Sequence, residues 1–534
     1  MPPGIPQVRC SRSTIASVVR GNESSEALLI DMTAPEAAAE VPQPETGLRR
    51  LAIRFLAGGN DWIRLLPLMA LAAALGSIGL GSKGLWLDEG LSAAIARTDP
   101  LTSFTAAWNT QTPGAIALYY EILHFWTILG DSEFVLRLLS VFCTALAVPV
   151  VYFLGCRLAG RRAASIAAFL IAASPFVVRY SQEARPYTMV LLLSAATSLA
   201  LLRAIEQPTW RRWIGYAVLA VGSLYVHDTM AFVFLVHGIW VLATVPLRDR
   251  RFGRVVVAFG AIGLSALPLA GLLSEPVFTW VPPLTLSWLS SVLSDVAGGT
   301  SLLGAFWLGA VGLGTATALS RLRRGRVGAS MALAVALGLG PVLVEVAISV
   351  RHPMLEARYL MVAVPGLAVC AGIGVAAIPW DKIRWLSVAL FVALAVVALI
   401  PWYTSDPKEG WREAEQVISV GFRPGDGIVV YPRYCRLPFD YYILQDGRLS
   451  SSAVPVYPFA AWGRFFPVPD GETSTPSALE DVQPVQRVWI VSRYAPLDAS
   501  TTDGRILWSH LAGYSTVETV QLTDVYVELV QSTP

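Results

Sequence analysis

Long apolar runs recur along most of this chain of 534 residues, and no other feature restricts its fold as strongly. A helix needs roughly 20 mostly apolar residues to cross a bilayer, so each run predicts a membrane span. The runs lie at 65–81, 134–156, 162–179, 187–205, 213–227, 229–246, 255–273, 301–319, 329–349, 359–379 and 385–402. Together they predict a polytopic membrane protein with about eleven spanning helices.

Composition agrees with a membrane protein and excludes several other classes. Hydrophobic residues make up 54% of the chain, charged residues make up 15%, and the mean hydropathy is +0.55. Because an ordinary soluble domain carries about 25% charged residues, a soluble enzyme and a disordered chain are both excluded. The net charge of +2 gives no basic field that would attract nucleic acid.

The distribution of basic residues predicts which end of each span faces the cytoplasm. Four arginines flank the start of the first span, and the positive-inside rule therefore places the N-terminus in the cytoplasm. The same rule assigns five denser clusters to the cytoplasmic side. They are Arg157/Arg161/Arg162, Arg203/Arg211/Arg212, Arg248/Arg250/Arg251/Arg254, Arg321/Arg323/Arg324/Arg326 and Lys382/Arg384.

This assignment is consistent only if the stretch 113–130 does not cross the membrane. We therefore expect a helix there that lies at the outer interface, where its aromatic residues would sit at the headgroup level. These residues are Tyr119, Tyr120, Phe125 and Trp126.

The topology divides the chain into three parts. Residues 1–60 lack periodicity and are expected to form a disordered cytoplasmic tail. Residues 61–402 form an all-α polytopic membrane domain, whose first outer loop spans 82–133. Residues 403–534 are polar enough for a small extracytoplasmic domain. A helix-like stretch at 408–420 and strand-like runs at 427–431, 488–492 and 525–530 predict an α/β fold for it.

Five basic residues on the predicted outer side break the positive-inside trend. They are Lys83, Arg179, Arg185, Arg351 and Arg358. Charges this close to a bilayer cost free energy unless they are paired or hydrated. Internal ion pairs such as Glu183–Arg185 or Glu356–Arg358 would satisfy them. The alternative is an anionic substrate at the outer face, whose phosphate the arginines hold by charge-assisted hydrogen bonds.

Two adjacent acids, Asp88 and Glu89, follow directly on the end of the first span, in the stretch LWLDEGLSAAIAR at 85–97. Neighbouring carboxylates can divide their work, one accepting a proton from a nucleophile and the other orienting a ligand. Both are candidate catalytic residues. The competing interpretation is that Asp88 is simply the N-cap of a helix that starts here.

Two further motifs lie in short outer turns. RYSQEARPYTMVLLL at 179–193 contributes the candidate substrate-binding residues Tyr180, Glu183, Arg185 and Tyr187. RHPMLEARYLMVAVPG at 351–366 contributes Arg351, Arg358 and Tyr359, and Lys83 completes the set. His227 stands at another outer turn without a second His or Cys at ligand spacing, so no metal site is predicted.

The ordered motifs LWLDEG, ALYYEILHFW, GDSEFVLRLLS, YSQEARPY and LYVHDTMAFVF resemble bacterial membrane glycosyltransferases of the GT-C superfold. The resemblance is to the protein O-mannosyltransferase and lipid A aminoarabinose transferase type, including the rhizobial galacturonosyltransferase-like group. It covers roughly residues 60–240, and RY…PG at 358–366 and KEGWREAE at 408–415 extend it more weakly.

The resemblance implies a polyprenyl-phosphate sugar donor that is used on the outer face of the bacterial inner membrane. It implies that Asp88 is the base that deprotonates the acceptor hydroxyl, with Glu89 beside it. Arg185 and Arg358 would hold the departing lipid phosphate. Many relatives carry His-Pro-Pro or Lys-Pro-Pro before the LYY motif, where this chain has TPGAIALYY at 112–120. Lys83 or Arg351 would then supply the missing phosphate contact.

The acceptor is expected to be a hydroxyl of a lipid, a glycan or a protein. A direct displacement inverts the sugar and needs no metal in principle, although a divalent metal stays an open alternative. Two other functions also stay open, a transporter or lipid flippase and a non-catalytic subunit with the same fold. A transporter should carry ionisable residues near the middle of its spans, whereas here nearly all of them lie at helix ends, and Glu345, within a proposed span, is the main exception.

Overall fold

A computed structural model describes residues 61–98, 117–246, 248–249, 252–270, 281–322, 325–405, 408–452, 454–457, 485–498, 500 and 502–533. The predicted tail at 1–60 lies outside these ranges, as does part of the first outer loop with the TPGAI sequence. Residues 60–534 form one compact unit, to which everything below refers.

The membrane part consists of helices that follow one another with short connections. They are α1 (Asp61–Ser77), α2 (Leu87–Ala96), α3 (Ala117–Trp126), α4 (Glu133–Ala159), α5 (Arg161–Ala173), α6 (Pro175–Ser181), α7 (Tyr187–Glu206), α8 (Trp210–Leu224), α9 (Met230–Thr244), α10 (Phe252–Ala270), α11 (Leu286–Ala297), α12 (Ser301–Ser320), α13 (Arg326–Ser349), α14 (Val364–Ala377) and α15 (Asp381–Thr404). A 3₁₀ turn at Thr127–Leu129 extends α3, and another at Ala357–Ala363 leads into α14.

Each of the predicted apolar runs falls on a helix, but fewer helices than expected are long enough to span. Seven described helices have the length and hydropathy of a membrane span, or eight if the bent pair α5 and α6 counts as one. Among the described residues this count is a minimum, because it leaves out the shorter apolar helices. The remaining runs lie on α1, α8 and α9, which have only 17, 15 and 15 residues.

Within the described residues, helix α3 is too short to cross a membrane by itself, which agrees with the prediction for 113–130. Its 10 residues extend about 15 Å. The predicted role of its aromatic residues is only partly right. Phe125 is exposed, whereas Tyr119 and Tyr120 are buried in the protein. Their hydroxyls therefore face the interior of the protein, near the acids of α2.

Glycines let the central helix α14 approach its neighbours closely. A Cβ atom added at Gly366 would come within 2.2 Å of the Gly338 backbone nitrogen on α13. One added at Gly374 would come within 2.0 Å of the Ala310 carbonyl oxygen on α12. Small residues at such crossings are how membrane helices pack tightly. The 3₁₀ turn that carries Arg358 is thus fixed by a tightly packed helix.

The C-terminal part has the predicted α/β character, and it adds two strands that the sequence reading missed. Its elements are α16 (Trp411–Gly421), β1 (Gly427–Tyr431), α17 (Arg436–Ile443), α18 (Gly447–Ser452), β2 (Val454–Tyr457), β3 (Arg487–Arg493), α19 (Thr502–His510), β4 (Tyr514–Gln521) and β5 (Val525–Ser532). The strand order is β2-β1-β3-β5-β4, parallel between β2, β1 and β3 and antiparallel across β5. The missed strand β4 is mostly exposed and polar, so it lacks the apolar run that reveals a buried strand.

The C-terminal domain is anchored on the segment that precedes α2. The Arg412 guanidinium donates to the carbonyl oxygens of Gly81 and Ser82 and to Glu133 Oε1 at 2.7 Å. The Tyr442 hydroxyl accepts from the Leu85 backbone N–H at 2.6 Å. These contacts hold the start of α2 between the membrane helices and the C-terminal domain.

Candidate active site

Helix α2 presents its two acids to different surroundings. The helix begins at Leu87, and its N-cap position is Trp86, which makes no side-chain cap. The interpretation of Asp88 as N-cap is therefore wrong. Because consecutive residues of a helix point about 100° apart, Asp88 and Glu89 face different sides. The Asp88 side chain is 26% exposed, whereas that of Glu89 is 0% exposed.

Two of the predicted arginines meet at Asp88. Arg358 Nη1 donates to Asp88 Oδ2 at 3.1 Å, and Arg185 Nη2 lies 3.8 Å from the same oxygen. Arg185 also donates to the Asp88 carbonyl oxygen and to the Tyr120 hydroxyl at 3.1 Å. The turn before α7 and the turn before α14 thus bring two guanidinium groups, 173 positions apart in sequence, to one partly open carboxylate.

Aromatic rings surround this charged group. The ring centroids of Tyr180 and Tyr187 are 5.2 Å apart, and those of His227 and Tyr359 are 5.6 Å apart. Tyr187 lies 6.1 Å from His227, so the four rings form a continuous wall. The predicted residues Tyr180, Tyr187 and Tyr359 are therefore together. Aromatic walls with a few convergent polar groups are typical of small-ligand sites.

Glu89 is enclosed and fully engaged in hydrogen bonds. Arg137 donates to both of its oxygens at 2.7 Å, Lys408 Nζ donates at 2.8 Å, and the Ala184 backbone N–H donates at 2.9 Å. Burial alone would raise the pKa of Glu89, but the charges of Arg137 and Lys408 outweigh it and lower the pKa to about 2. This placement contradicts Glu89 as a proton acceptor and supports a positioning role for it.

Sequence reasoning missed Arg137 and Lys408. Arg137 is buried on α4 and also donates to the carbonyl oxygens of Leu80, Lys83 and Gly84. An arginine inside an apolar helix is a signal in itself, because its cost demands a partner. Lys408 lies beyond the last span, in the KEGWREAE stretch. No local pattern could reveal that it reaches Glu89, 319 positions earlier.

Glu183 is a second buried carboxyl near the site, of different character from Glu89. It is 6% exposed, and its Oε2 atom has no hydrogen-bond partner among the described residues. Burial raises its pKa, although the charge of nearby Lys408 acts in the opposite direction. The suggested Glu183–Arg185 ion pair is not among the ion pairs of the described residues, whereas Arg358 Nε does lie 3.8 Å from Glu356.

Lys83 and Arg351, the other two predicted phosphate ligands, are not at Asp88. Lys83 Nζ lies 4.1 Å from the ring centroid of Trp402 on α15 and donates to its carbonyl oxygen. Arg351 is exposed just beyond α13, and its guanidinium takes part in no hydrogen bond or ion pair within the described ranges. Arg179 stacks 5.2 Å from the same Trp402 ring.

Several polar atoms beside the two arginines are buried but unpaired within the part of the chain that the structure describes. They include Arg185 Nε, Glu183 Oε2 and Trp86 Nε1. The Trp86 ring lies 5.7 Å from the Arg358 guanidinium carbon. Buried polar atoms without partners are rare in folded proteins, and a bound polar ligand explains such a cluster.

Among the described residues, no group of three or more His, Cys, Asp or Glu side chains is arranged to hold a metal ion. His227 instead contacts the Asp228 carboxylate at 2.8 Å and the Thr229 hydroxyl at 3.0 Å. These contacts indicate that His227 has a structural role in its turn.

Comparisons with known proteins agree on the class of fold. Residues 114–273 match the family model for dolichyl-phosphate-mannose-protein mannosyltransferase. An undecaprenyl phosphate-α-4-amino-4-deoxy-L-arabinose arabinosyl transferase of Yersinia pestis (strain Pestoides F) is 31% identical over 151 residues. That alignment covers 28% of this chain and 26% of the relative, so the match spans about a quarter of the relative's length.

Solved structures extend the likeness to almost the whole chain. ArnT from Cupriavidus metallidurans bound to undecaprenyl phosphate superposes with a TM-score of 0.58 at 13% identity. The match covers 88% of this chain and 98% of that one. The apo form of the same protein gives a TM-score of 0.55. The predicted fold class is thereby confirmed, a multi-pass GT-C membrane fold with a small C-terminal domain.

Proposed function

We propose that this protein is a membrane glycosyltransferase that moves a sugar from a polyprenyl phosphate to a hydroxyl group of an acceptor. The observation that carries this proposal is the meeting of Asp88 with Arg185 and Arg358 at a partly open, aromatic-walled site. A carboxylate can accept a proton, and arginines can bind a phosphate through paired hydrogen bonds. Both functions are needed when a sugar leaves a lipid phosphate.

The reaction is a single displacement at the anomeric carbon. The acceptor oxygen forms the new bond to that carbon as its proton passes to Asp88, and the bond between the carbon and the phosphate oxygen breaks. The configuration inverts, and the lipid phosphate leaves with the bonding electrons. Arg185 and Arg358 stabilise the charge that develops on the leaving group.

Donor binding changes the partners of Asp88. Without donor, Arg358 donates to Asp88 Oδ2. A donor phosphate competes for the same guanidinium groups, and once they turn to it, a lone pair of Asp88 becomes available to the acceptor hydroxyl. The unpaired atoms Arg185 Nε and Trp86 Nε1 are further donors to this ligand. Tyr180, Tyr187 and Tyr359 line the sugar site.

Two parts of the chain share this function. Residues 61–402 form the transferase domain, with the catalytic helix in the loop 82–133, and residues 403–534 form an outer domain that secures that helix. The acceptor is a lipid, a glycan or a protein. The positions of Arg137 and Glu345 disfavour a transport path through the middle of α4 and α13, since both residues lie within about two turns of a helix end.

The orientation in the bacterial inner membrane follows from the positive-inside rule, with the N-terminus in the cytoplasm and the site outside. Single cysteines introduced at the exposed positions 131 and 179 should react with an impermeant reagent added to the outside of cells. Cysteines near 161 should react only after permeabilisation. Labelling of position 131 only from the inside would reverse the orientation.

The function itself is tested with purified protein in lipid nanodiscs. The protein is offered a panel of polyprenyl-phosphate sugars, including undecaprenyl phosphate-4-amino-4-deoxy-arabinose, together with lipid, glycan and peptide acceptors. We expect one acceptor to gain the mass of one sugar residue, and Asp88→Asn to slow this gain by about 10²–10⁴. A parallel sample with EDTA tests the divalent metal. Transmembrane movement of the labelled lipid without any transfer would instead support a flippase.

A further inference from the structure

A cavity of about 290 Å³ lies at the end of the bundle opposite to Asp88. Helix α4 runs from Arg137, beside the site, to Ala159, which lines the cavity. These 22 helical positions correspond to about 33 Å, close to the thickness of a bilayer core. The cavity is therefore at the other membrane surface, on the side that the positive-inside rule assigns to the cytoplasm.

Three arginines from two connections line this cavity. Arg161 and Arg162 begin α5, and Arg321 directly follows α12. Arg161 is paired with Asp61 at 3.3 Å. Arg162 has no hydrogen bond or ion pair from its guanidinium within the described ranges, and Arg321 only approaches the Met331 sulfur at 4.0 Å. The mouth of the cavity thus holds positive charge that the neighbouring acid does not neutralise.

Apart from Thr317, the rest of the cavity lining is apolar. Ala163 on α5, and Ile373, Ala376 and Ala377 on α14, form much of it. The cavity therefore has positive charge at its mouth and an apolar lining further in. It lies at the depth where lipid headgroups meet the hydrocarbon core. A free anion would gain from the arginines alone, whereas a lipid uses both surfaces, the phosphate on the arginines and the glycerol and upper acyl chain on the apolar lining.

We propose that this cavity binds the phosphate group of an anionic membrane phospholipid. Basic pockets between membrane helices on the cytoplasmic side are suited to such headgroups, because that leaflet surface is negatively charged and the arginine fork matches a phosphate diester. The site is separate from Asp88, and it stands whether or not the protein is a glycosyltransferase.

The test uses two arginine variants and a variant that fills the cavity. Arg162→Gln combined with Arg321→Gln removes two charges from the mouth. Arg211→Gln combined with Arg212→Gln is the matched control, because it removes two charges from the first turn of α8, on the predicted cytoplasmic side and outside the cavity lining. Ala377→Phe keeps all arginines but occupies the apolar lining. Size-exclusion profiles and melting temperatures check that each variant is folded.

Binding is measured by native mass spectrometry of the delipidated full chain with phosphatidylglycerol or phosphatidylcholine. We expect the parent and the control to bind one phosphatidylglycerol about tenfold more tightly than phosphatidylcholine, because both lipids carry a phosphate diester but the choline headgroup adds a positive charge that the arginines repel. The Arg162/Arg321 variant should lose this preference, and Ala377→Phe should weaken binding of the anionic lipid.

Three results would overturn the proposal. The parent could bind both lipids equally, or the Arg162/Arg321 variant could keep the parent's preference. Inorganic phosphate at millimolar concentration could also displace phosphatidylglycerol completely, which would assign the cavity to a free anion instead of a lipid.

Discussion

The two sides of helix α2 carry the same chemical group and give it opposite surroundings. On one side, Asp88 is partly open and faces arginines that belong to two distant turns. On the other, Glu89 is sealed between Arg137 of the bundle and Lys408 of the C-terminal segment. The two carboxylates differ in burial and in the number of hydrogen bonds that they accept. These differences, and not the type of acid, decide that Asp88 can exchange protons whereas Glu89 holds the helix in place.

The largest effect should come from the open side. Asp88→Asn keeps the shape of the side chain but removes its basic oxygen, so transfer should slow by about 10²–10⁴. The melting temperature should stay near that of the parent, because this carboxylate is partly hydrated. Initial rates of sugar transfer in nanodiscs measure the effect. Asp131→Asn, an exposed acid at the same end, is the control, and a mutant Asp88 enzyme with normal turnover would remove it as the base.

The sealed side should respond mainly in stability. Glu89→Gln leaves Arg137 and Lys408 with an incomplete partner in a buried place, which should cost about 3–5 kcal/mol in the free energy of unfolding. Thermal and denaturant unfolding in detergent measure the loss. Glu133→Gln, a less buried acid paired with Arg412, should cost clearly less. Equal losses in the two variants would contradict the contrast between the sides.

The depressed pKa of Glu89 adds a pH dependence to the same comparison. Its pKa falls from 4.5 to about 2 in the folded protein, so its contribution to stability is complete above about pH 4.5 and is lost as the pH falls toward 2. The free energy of unfolding of the parent should decrease as the pH falls through this range. The Glu89→Gln variant should lack the part of this decrease that Glu89 causes. If the free energy of unfolding depended on pH in the same way in both proteins, protonation of Glu89 would not be the cause of the decrease.

The arginines of the open side should affect donor use. Arg185→Ala and Arg358→Ala should each lower kcat/KM for the donor by about 10–100-fold, the value of one charge-assisted contact to a phosphate. Lysine should restore only part of the activity because an ammonium cannot form the paired hydrogen bonds. Arg351→Ala is the control, since this exposed arginine lies outside the site. Normal donor kinetics in both variants would make Arg185 and Arg358 structural.

The smallest effect should come from Lys408, which supports the sealed side from a distance. Lys408→Met keeps most of the side-chain volume but removes one of the four donors to Glu89, so unfolding should become about 1–3 kcal/mol easier. kcat should fall moderately while KM for the donor stays unchanged, since Lys408 acts through α2. Lys382→Met, on the predicted cytoplasmic side, should change neither. A raised donor KM would place Lys408 in direct contact with the substrate.

The sequence predicted much of this site because the motifs sit in short turns. Asp88, Arg185, Tyr187 and Arg358 do converge, since charged residues at helix ends share one membrane surface. Lys83 shares that surface too, yet it stacks on Trp402 instead. A residue at a helix end has a defined depth in the membrane, but its position within the plane of the membrane depends on how the helices pack. A sequence motif therefore cannot show whether such a residue reaches Asp88 or, like Lys83, another part of the same surface.

Hydrophobic run length by itself determined that this chain is a helical membrane protein with a polar α/β extension, because the bilayer imposes a minimum length on each helix. Charge asymmetry at the helix ends also marked the surface where the candidate site lies. Only the tertiary structure decided which acid is open. Asp88 and Glu89 are neighbours in sequence, and their difference arises from Arg137 and Lys408, which long-range packing brings to one of them alone.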